Sequence, residues 1–197
     1  VVLLSTLLAP LGVPLVAPAL PVLRDTFAVT DAQASLLVSA YFVVGIVISP
    51  FIGLVADRVG RKRVLVTSLF AFAAAGGAAA FAPSFAALLV LRALQGTAAA
   101  GLFITTVTLV GDVFTGARRN AVLGANVAVL SAGAALFPVV GGALVAVSWN
   151  VPFLLYLLAV PVGLFAARVL EEPAVEHEAR GLGYLVGAAS ALADRAA

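Results

Sequence analysis

Apolar residues in this chain come in long blocks rather than at the spacing of an amphipathic helix or a half-buried strand. Six blocks stand out, at 1–22, 34–56, 64–82, 85–111, 121–147 and 151–169. Each is long enough to cross roughly 30 Å of hydrocarbon, which takes about 20 residues. Charged residues fall almost entirely in the short stretches between blocks and in a tail. The pattern predicts an all-α membrane protein with six transmembrane helices. After the sixth comes a hydrophilic linker, EEPAVEHEAR, at 171–180. The last segment, 181–197, is too short to span before Asp194 and Arg195. Leu182, Leu185, Ala189 and Leu192 share one helical stripe there, as in an interfacial helix. It reads equally as the start of a connection to a further span.

Within the blocks, prolines and small residues carry the detail. Pro10, Pro14 and Pro18 recur every four residues in the first block. Each removes a backbone hydrogen bond, so this helix should be curved or segmented. Helices of that kind often line a cavity, with plain bending as the alternative. Gly76–Gly77, Gly96, Gly101 and Gly141–Gly142 would let helix backbones approach closely, the main source of packing energy in lipid. Gly45, Pro50 and Gly53 in the second block have the same G-x4-P-x2-G spacing as Gly133, Pro138 and Gly141 in the fifth. Those two helices would run in opposite directions. The echo is what a 3+3 inverted repeat leaves behind, or a coincidence among Gly- and Pro-rich helices.

Composition narrows the class. The chain is 63% hydrophobic, 10% charged and has a mean hydropathy of +1.20, against about 25% charged residues in soluble domains. A water-soluble core is therefore a poor reading. The absence of cysteine excludes disulfides and thiolate metal sites. The net charge of +2 implies no nucleic-acid partner, since the basic residues lie between spans. His177 is the only histidine, and it sits in the charged tail. No Ser/His/acid set, buried carboxylate pair or metal-ligand cluster appears, and the glycines do not follow strands as in a phosphate loop. The expectation is a non-enzyme without cofactor or metal. A chain with no methionine also predicts a missing N-terminus, and the first block lacks the flanks of a signal peptide.

Basic residues mark one side. Arg58, Arg61, Lys62 and Arg63 lie between blocks two and three, Arg118 and Arg119 between four and five, and Arg168 and Arg180 after six. On the other side Arg24 stands alone beside Asp25 and Asp31. Short basic loops stay cytoplasmic, which predicts a multi-pass protein of the inner or plasma membrane with both termini in the cytoplasm.

The densest charge cluster is GLVADRVGRKR, 53–63, with five charges in the seven residues from Asp57 to Arg63. Gly53 suits a close helix approach, Asp57 a helix end and Gly60 a tight turn. The basic triplet can hold anionic headgroups or a nearby carboxylate. A positive-inside anchor would explain the triplet, but not Asp57 or the glycine spacing. The segment resembles the loop between helices 2 and 3 of the major facilitator superfamily, G-x-L-x-D-R-x-G-R-K/R-R, with Gly53, Leu54, Asp57, Arg58, Gly60, Arg61, Lys62 and Arg63 matching. The resemblance implies a gate in which the loop acid braces the two halves of the transporter. It also implies an arginine paired with an acid at the base of helix 4, and Asp112 is the candidate partner for Arg58 or Arg61.

Two partial likenesses accompany it. Arg92 lies about 10 Å into the fourth helix at 1.5 Å per residue, so it either faces a cavity or snorkels outward. LLVLRALQGTAAA resembles the family's helix-4 pattern through Arg92, Gln95 and Gly96, which share one side of a helix. The likeness implies that Arg92 tunes proton coupling or substrate charge preference. GAALFPVVGG resembles the helix-5 signature of drug/proton antiporters through Gly133, Pro138, Gly141 and Gly142, although Phe137 replaces a glycine. The first block ends in PALP as that family's helix 1 does, but lacks the acid that drug exporters often carry there. Tyr41, Asn126 and Thr106 are polar enough to line a cavity or to face a neighbouring helix.

These likenesses imply the N-terminal half of a twelve-helix transporter, acting by alternating access, with proton-coupled efflux expected and symport or facilitation as the alternative. A non-transport membrane protein is the reading from another class. The implied partners are membrane lipid, a small-molecule substrate, protons, and a missing C-terminal half or a second copy.

Overall fold

The computed structural model describes residues 2–170, so the linker and terminal segment expected at 171–197, with His177, lie outside the described residues. Within them the chain is built from helices. Five are long and apolar enough to cross a membrane: α3 (Asp31–Val59), α4 (Arg61–Ala79), α5 (Phe85–Val113), α6 (Gly116–Val145) and the run Val151–Val169. That last run comprises α7 (Val151–Leu154), a 3₁₀ turn (Leu155–Leu158) and α8 (Ala159–Val169). At the ends carrying Arg58, Arg61 and Arg118 the helices continue past their apolar blocks. Charged flanks do not interrupt the i→i−4 ladder, and backbone bonding carries it into the polar layer.

The first apolar block is divided. It forms α1 (Val2–Leu8), a 3₁₀ turn (Ala9–Gly12), a loose turn at 13–16, a second 3₁₀ turn (Ala17–Ala19) and α2 (Leu20–Phe27). A proline stands at the first or second position of both 3₁₀ turns and of α2. There its missing N–H does no harm, while the ladder behind it is cut. Val16 N and Ala17 N both turn back to Val13 O, at 3.0 and 2.9 Å.

Local signals set the other ends. A capping box opens α3: Gln33 N donates to Thr30 Oγ1 at 3.2 Å, and Thr30 N donates to Gln33 Oε1 at 2.9 Å. Ser84 caps α5 through Ala87 N at 3.2 Å. Between α3 and α4 stands only Gly60, at φ +106°, a conformation that residues with a Cβ rarely adopt.

The core gathers around α5, which packs against α3 on one side and α4 on the other. Leu37, Leu65, Leu69, Phe72, Leu88, Leu102 and Phe153 are fully buried there with Leu11, Leu15 and Leu23. Missing side chains make the approach possible. A methyl on Gly96 would strike the Tyr41 carbonyl, and one on Gly45 would come within 3.1 Å of the Gly96 carbonyl. Gly101 leaves room for Ser68, Gly77 for Leu157, and Gly141 for the Leu15 carbonyl of the divided segment. Gly53 is a correction: open space lies beside it, so the close approach expected there is made by Gly45 instead.

In the most apolar windows of α3 and α6 only 6% and 11% of the residues are buried. Phe42, Val43, Ile46, Val47 and Phe51 of α3, and Val127, Leu136 and Val139 of α6, are exposed. These helices therefore present apolar faces to lipid or to another part of the membrane protein.

The close approaches can be tested by glycine replacement in the full-length protein. Gly96→Ala forces a backbone carbonyl aside and should destabilise by about 1–3 kcal/mol. Gly124→Ala, where a methyl meets nothing within 4 Å, should be neutral or stabilising by up to about 1 kcal/mol. Unfolding in detergent followed by circular dichroism would compare the two.

Candidate functional site

Two polar groupings are embedded in this apolar bundle, one at the basic end and one deep inside. At the basic end, Arg61 opens α4 directly after the Gly60 turn. Its Nη1 forms an ion pair with Asp112 Oδ2 near the end of α5. Its Nη2 lies 3.4 Å from Asp57 Oδ1, one turn back on α3. One guanidinium therefore ties the α3–α4 turn to α5. The Arg61 and Asp112 side chains are 15% and 24% exposed, whereas Asp57 is 64% exposed. The Asp112 arm is thus shielded, and the Asp57 arm stands in water, where an ion pair contributes little. Arg58 and Arg63 are exposed and Lys62 is partly buried. Arg118 lies over the Phe114 ring, 5.4 Å from its centroid.

At the opposite end Arg24 donates to Asp25 at 2.7 Å and to Asp31 at 3.0 Å. The hydrogen bond from Arg24 lowers the Asp25 carboxyl below its usual range. Phe27, Phe85 and Trp149 meet at the same end, with Trp149 5.3 Å from Phe27, centroid to centroid.

The deeper grouping centres on Arg92, which is fully buried. It does not snorkel. Its Nη2 donates to the Gly12 carbonyl, Nη1 to Gln95 Oε1 at 2.6 Å and to Tyr156 Oη at 3.3 Å, and Nε to the Leu37 carbonyl at 3.4 Å. The guanidinium carbon sits 4.7 Å from the centroid of the Tyr41 ring, within cation–π range. Arg92 thus touches the divided segment, α3, its own helix and the 3₁₀ turn at Leu155–Leu158. The four acidic residues of 2–170 are Asp25, Asp31, Asp57 and Asp112. None is among these contacts, so carbonyls, an amide, a phenol and a ring face solvate the cation.

Beyond the Tyr41 ring lies an apolar cavity of about 400 Å³, whose walls include Val13, Pro14, Phe42, Gly45, Gly96 and Phe103. The helix-4 trio therefore divides: Arg92 and Gln95 face the buried cluster, and Gly96 forms cavity wall and helix contact. Of the helix-5 motif, Gly133 and Gly141 are buried, Pro138 lies inside α6 and Gly142 is exposed. Asn126 accepts a hydrogen bond from Thr6 Oγ1 across to α1, and Thr106 donates to the Leu102 carbonyl at 2.7 Å. Asn126 thus meets a neighbouring helix and Thr106 bonds back within its own; neither lines this cavity.

Tyr156 is the functional candidate that sequence reasoning missed. Its hydroxyl lies 3.0 Å from the Leu11 carbonyl and 3.2 Å from that of Gly12. The signal was available: apart from Arg168 it is the one polar side chain in the block 151–169, and a phenol in hydrocarbon needs a partner. Among the described residues no group of three or more His, Cys, Asp or Glu could hold a metal ion.

Residues 2–191 match the family model of the Major Facilitator Superfamily. The chain is 35% identical over 150 residues to the "Bacillibactin exporter" of Bacillus subtilis (strain 168). It is 33% identical over 144 residues to "Quinolone resistance protein NorA" of Staphylococcus aureus (strain MRSA252). In both cases the match covers 73% of this chain and 37% of the relative, so the chain spans well under half of each relative's length. With a family match over nearly its whole length, the chain belongs to the major facilitator superfamily.

Proposed function

We propose that this chain is the N-terminal, six-span half of a plasma-membrane transporter that exports a small molecule by proton-coupled alternating access. The observation that carries the reading is the Asp57–Arg61–Asp112 network, which joins the α3–α4 turn to the end of α5 at the basic end. Shared ion pairs at a helix turn suit a gate, because water entering an opened end replaces their attraction at modest expense. The basic residues at that end support a cytoplasmic orientation for it and for both termini. The divided segment supplies the sixth span. A 3+3 inverted repeat is supported by partner choice: α3 presses Gly45 onto α5, and α6 presses Gly141 onto the divided segment. The export direction rests on the two relatives, one named as an exporter and the other for drug resistance. The apolar faces of α3 and α6 fit a second half, or a second copy, that completes the cavity. No enzymatic step is part of this reading.

Symport or facilitated transport within the superfamily is the second reading. Phe137, standing where the antiporter signature has glycine, is the observation that favours it.

In full-length protein reconstituted into vesicles, Asp57→Asn should slow export about tenfold or more. Its melting temperature should move little, because an exposed ion pair contributes only about 0–1 kcal/mol. Unchanged export would remove the gate. Arg92→Lys should be inactive despite keeping the charge, because one ammonium cannot reach the Gly12 carbonyl, Gln95 and Tyr156 together. Dye export in the same vesicles would read this out. An imposed proton gradient should accelerate export if coupling is antiport; acceleration of uptake along the gradient would favour symport.

A further inference from the structure

The divided segment leaves a shortage of donors at its break. In an unbroken helix the Gly12 carbonyl would accept from Val16 N, but Val16 N is committed to Val13 O at 3.0 Å. A buried carbonyl without a donor costs several kcal/mol in a hydrocarbon setting. The donors come from two other helices. Arg92 Nη2 donates to the Gly12 carbonyl, and the Tyr156 hydroxyl points its single proton at the Leu11 and Gly12 carbonyls, 3.0 and 3.2 Å away. The same hydroxyl oxygen accepts from Arg92 Nη1 at 3.3 Å. The phenol therefore stands between guanidinium and backbone, receiving from one and donating to the other.

Its ring has a shaped seat. A methyl on Gly76 of α4 would come within 2.5 Å of Tyr156 Cβ and 2.6 Å of Cδ2. Phe72 and Phe153 hold the ring at centroid distances of 5.3 and 6.2 Å. The next two residues of the divided segment, Val13 and Pro14, are walls of the cavity.

We propose that Tyr156 is the positioning residue of this site: its hydroxyl clamps the break at Leu11–Gly12 and fixes Arg92 behind Tyr41. The cavity wall formed by Val13 and Pro14 then cannot move without changing the partners of Arg92. The clamp itself does not depend on the transport reading; only its effect on export does.

The test is hydrogen–deuterium exchange of full-length protein in nanodiscs, read over residues 13–17, with Tyr156→Phe. Phenylalanine keeps the ring packing and removes the one donor. Exchange over 13–17 should accelerate about tenfold, the effect of one buried hydrogen bond, with α6 unchanged. A rate within twofold of the parent, or a slower one, overturns the clamp, because ring packing alone then accounts for Tyr156. Should Y156F fail to reach the membrane, Gly76→Ala, whose methyl pushes the Tyr156 ring off its seat, carries the same expectation over 13–17, and the same null result overturns the clamp. Export measured alongside separates the two proposals. A parent that exports nothing while Y156F opens the segment removes transport and leaves the clamp. A Y156F protein that exports and exchanges like its parent removes the clamp and leaves transport.

Discussion

The break in the divided segment, where Val16 N turns to Val13 O, leaves the Leu11 and Gly12 carbonyls to donors from other helices, and the interior polar chemistry of the bundle answers that shortage. Arg92 is costly to bury, since a charge taken from water loses far more than one hydrogen bond returns. It is held because each of its nitrogens is engaged: on Gly12 beside the break, on Leu37 of α3, on Gln95 and on Tyr156. The residue thus acts as structure before it acts as charge. Removing it would leave the Gly12 carbonyl to the Tyr156 hydroxyl alone and empty a polar pocket, and no apolar side chain could meet both needs.

Such reach requires helices in unusual proximity. A guanidinium on α5 touches the divided segment and α3 because Gly96 lets the α3 backbone lie against α5. Gly12 itself has no room for a side chain, because the Tyr41 ring fills that space. The ring is then pinned between Gly12 and the cation. Small residues and the buried arginine are therefore one device: the glycines set the spacing, and the arginine bonds across it.

Much of this was legible in the chain, for reasons that can be stated. Long apolar blocks, the Pro10–Pro14–Pro18 series and the Gly60 turn act through local backbone chemistry, which the sequence carries directly. The Arg61–Asp112 pair was foreseen only as one of two pairings, since position along a helix does not decide which of two arginines faces α5. Gly53 misled because glycine spacing does not say which side of a helix meets a neighbour; Gly45, two turns earlier, makes that contact. Tyr156 was passed over because its partners lie 145 and 64 positions away, at Leu11 and Arg92. Its role exists only once the helices are assembled. Capping at Thr30–Gln33 is the opposite case, a purely local signal carried by two residues three apart.

The charges follow a simple geography with one exception. All four acidic residues of 2–170 lie toward helix ends, where water or an arginine serves them, and the one charge in the interior is positive. That cation is not open to the cavity. It lies behind the Tyr41 ring, whose face it already engages, so a molecule filling the cavity meets aromatic and aliphatic surface first. Ser49, the other polar side chain of the cavity wall, has its hydroxyl bonded back to the Gly45 carbonyl at 2.7 Å. In this conformation the cavity wall is apolar, and Tyr41 stands between it and the charge, which only a displacement of Tyr41 would uncover. Such a displacement must disturb the packing at Gly12, the same residue on which the break in the divided segment turns.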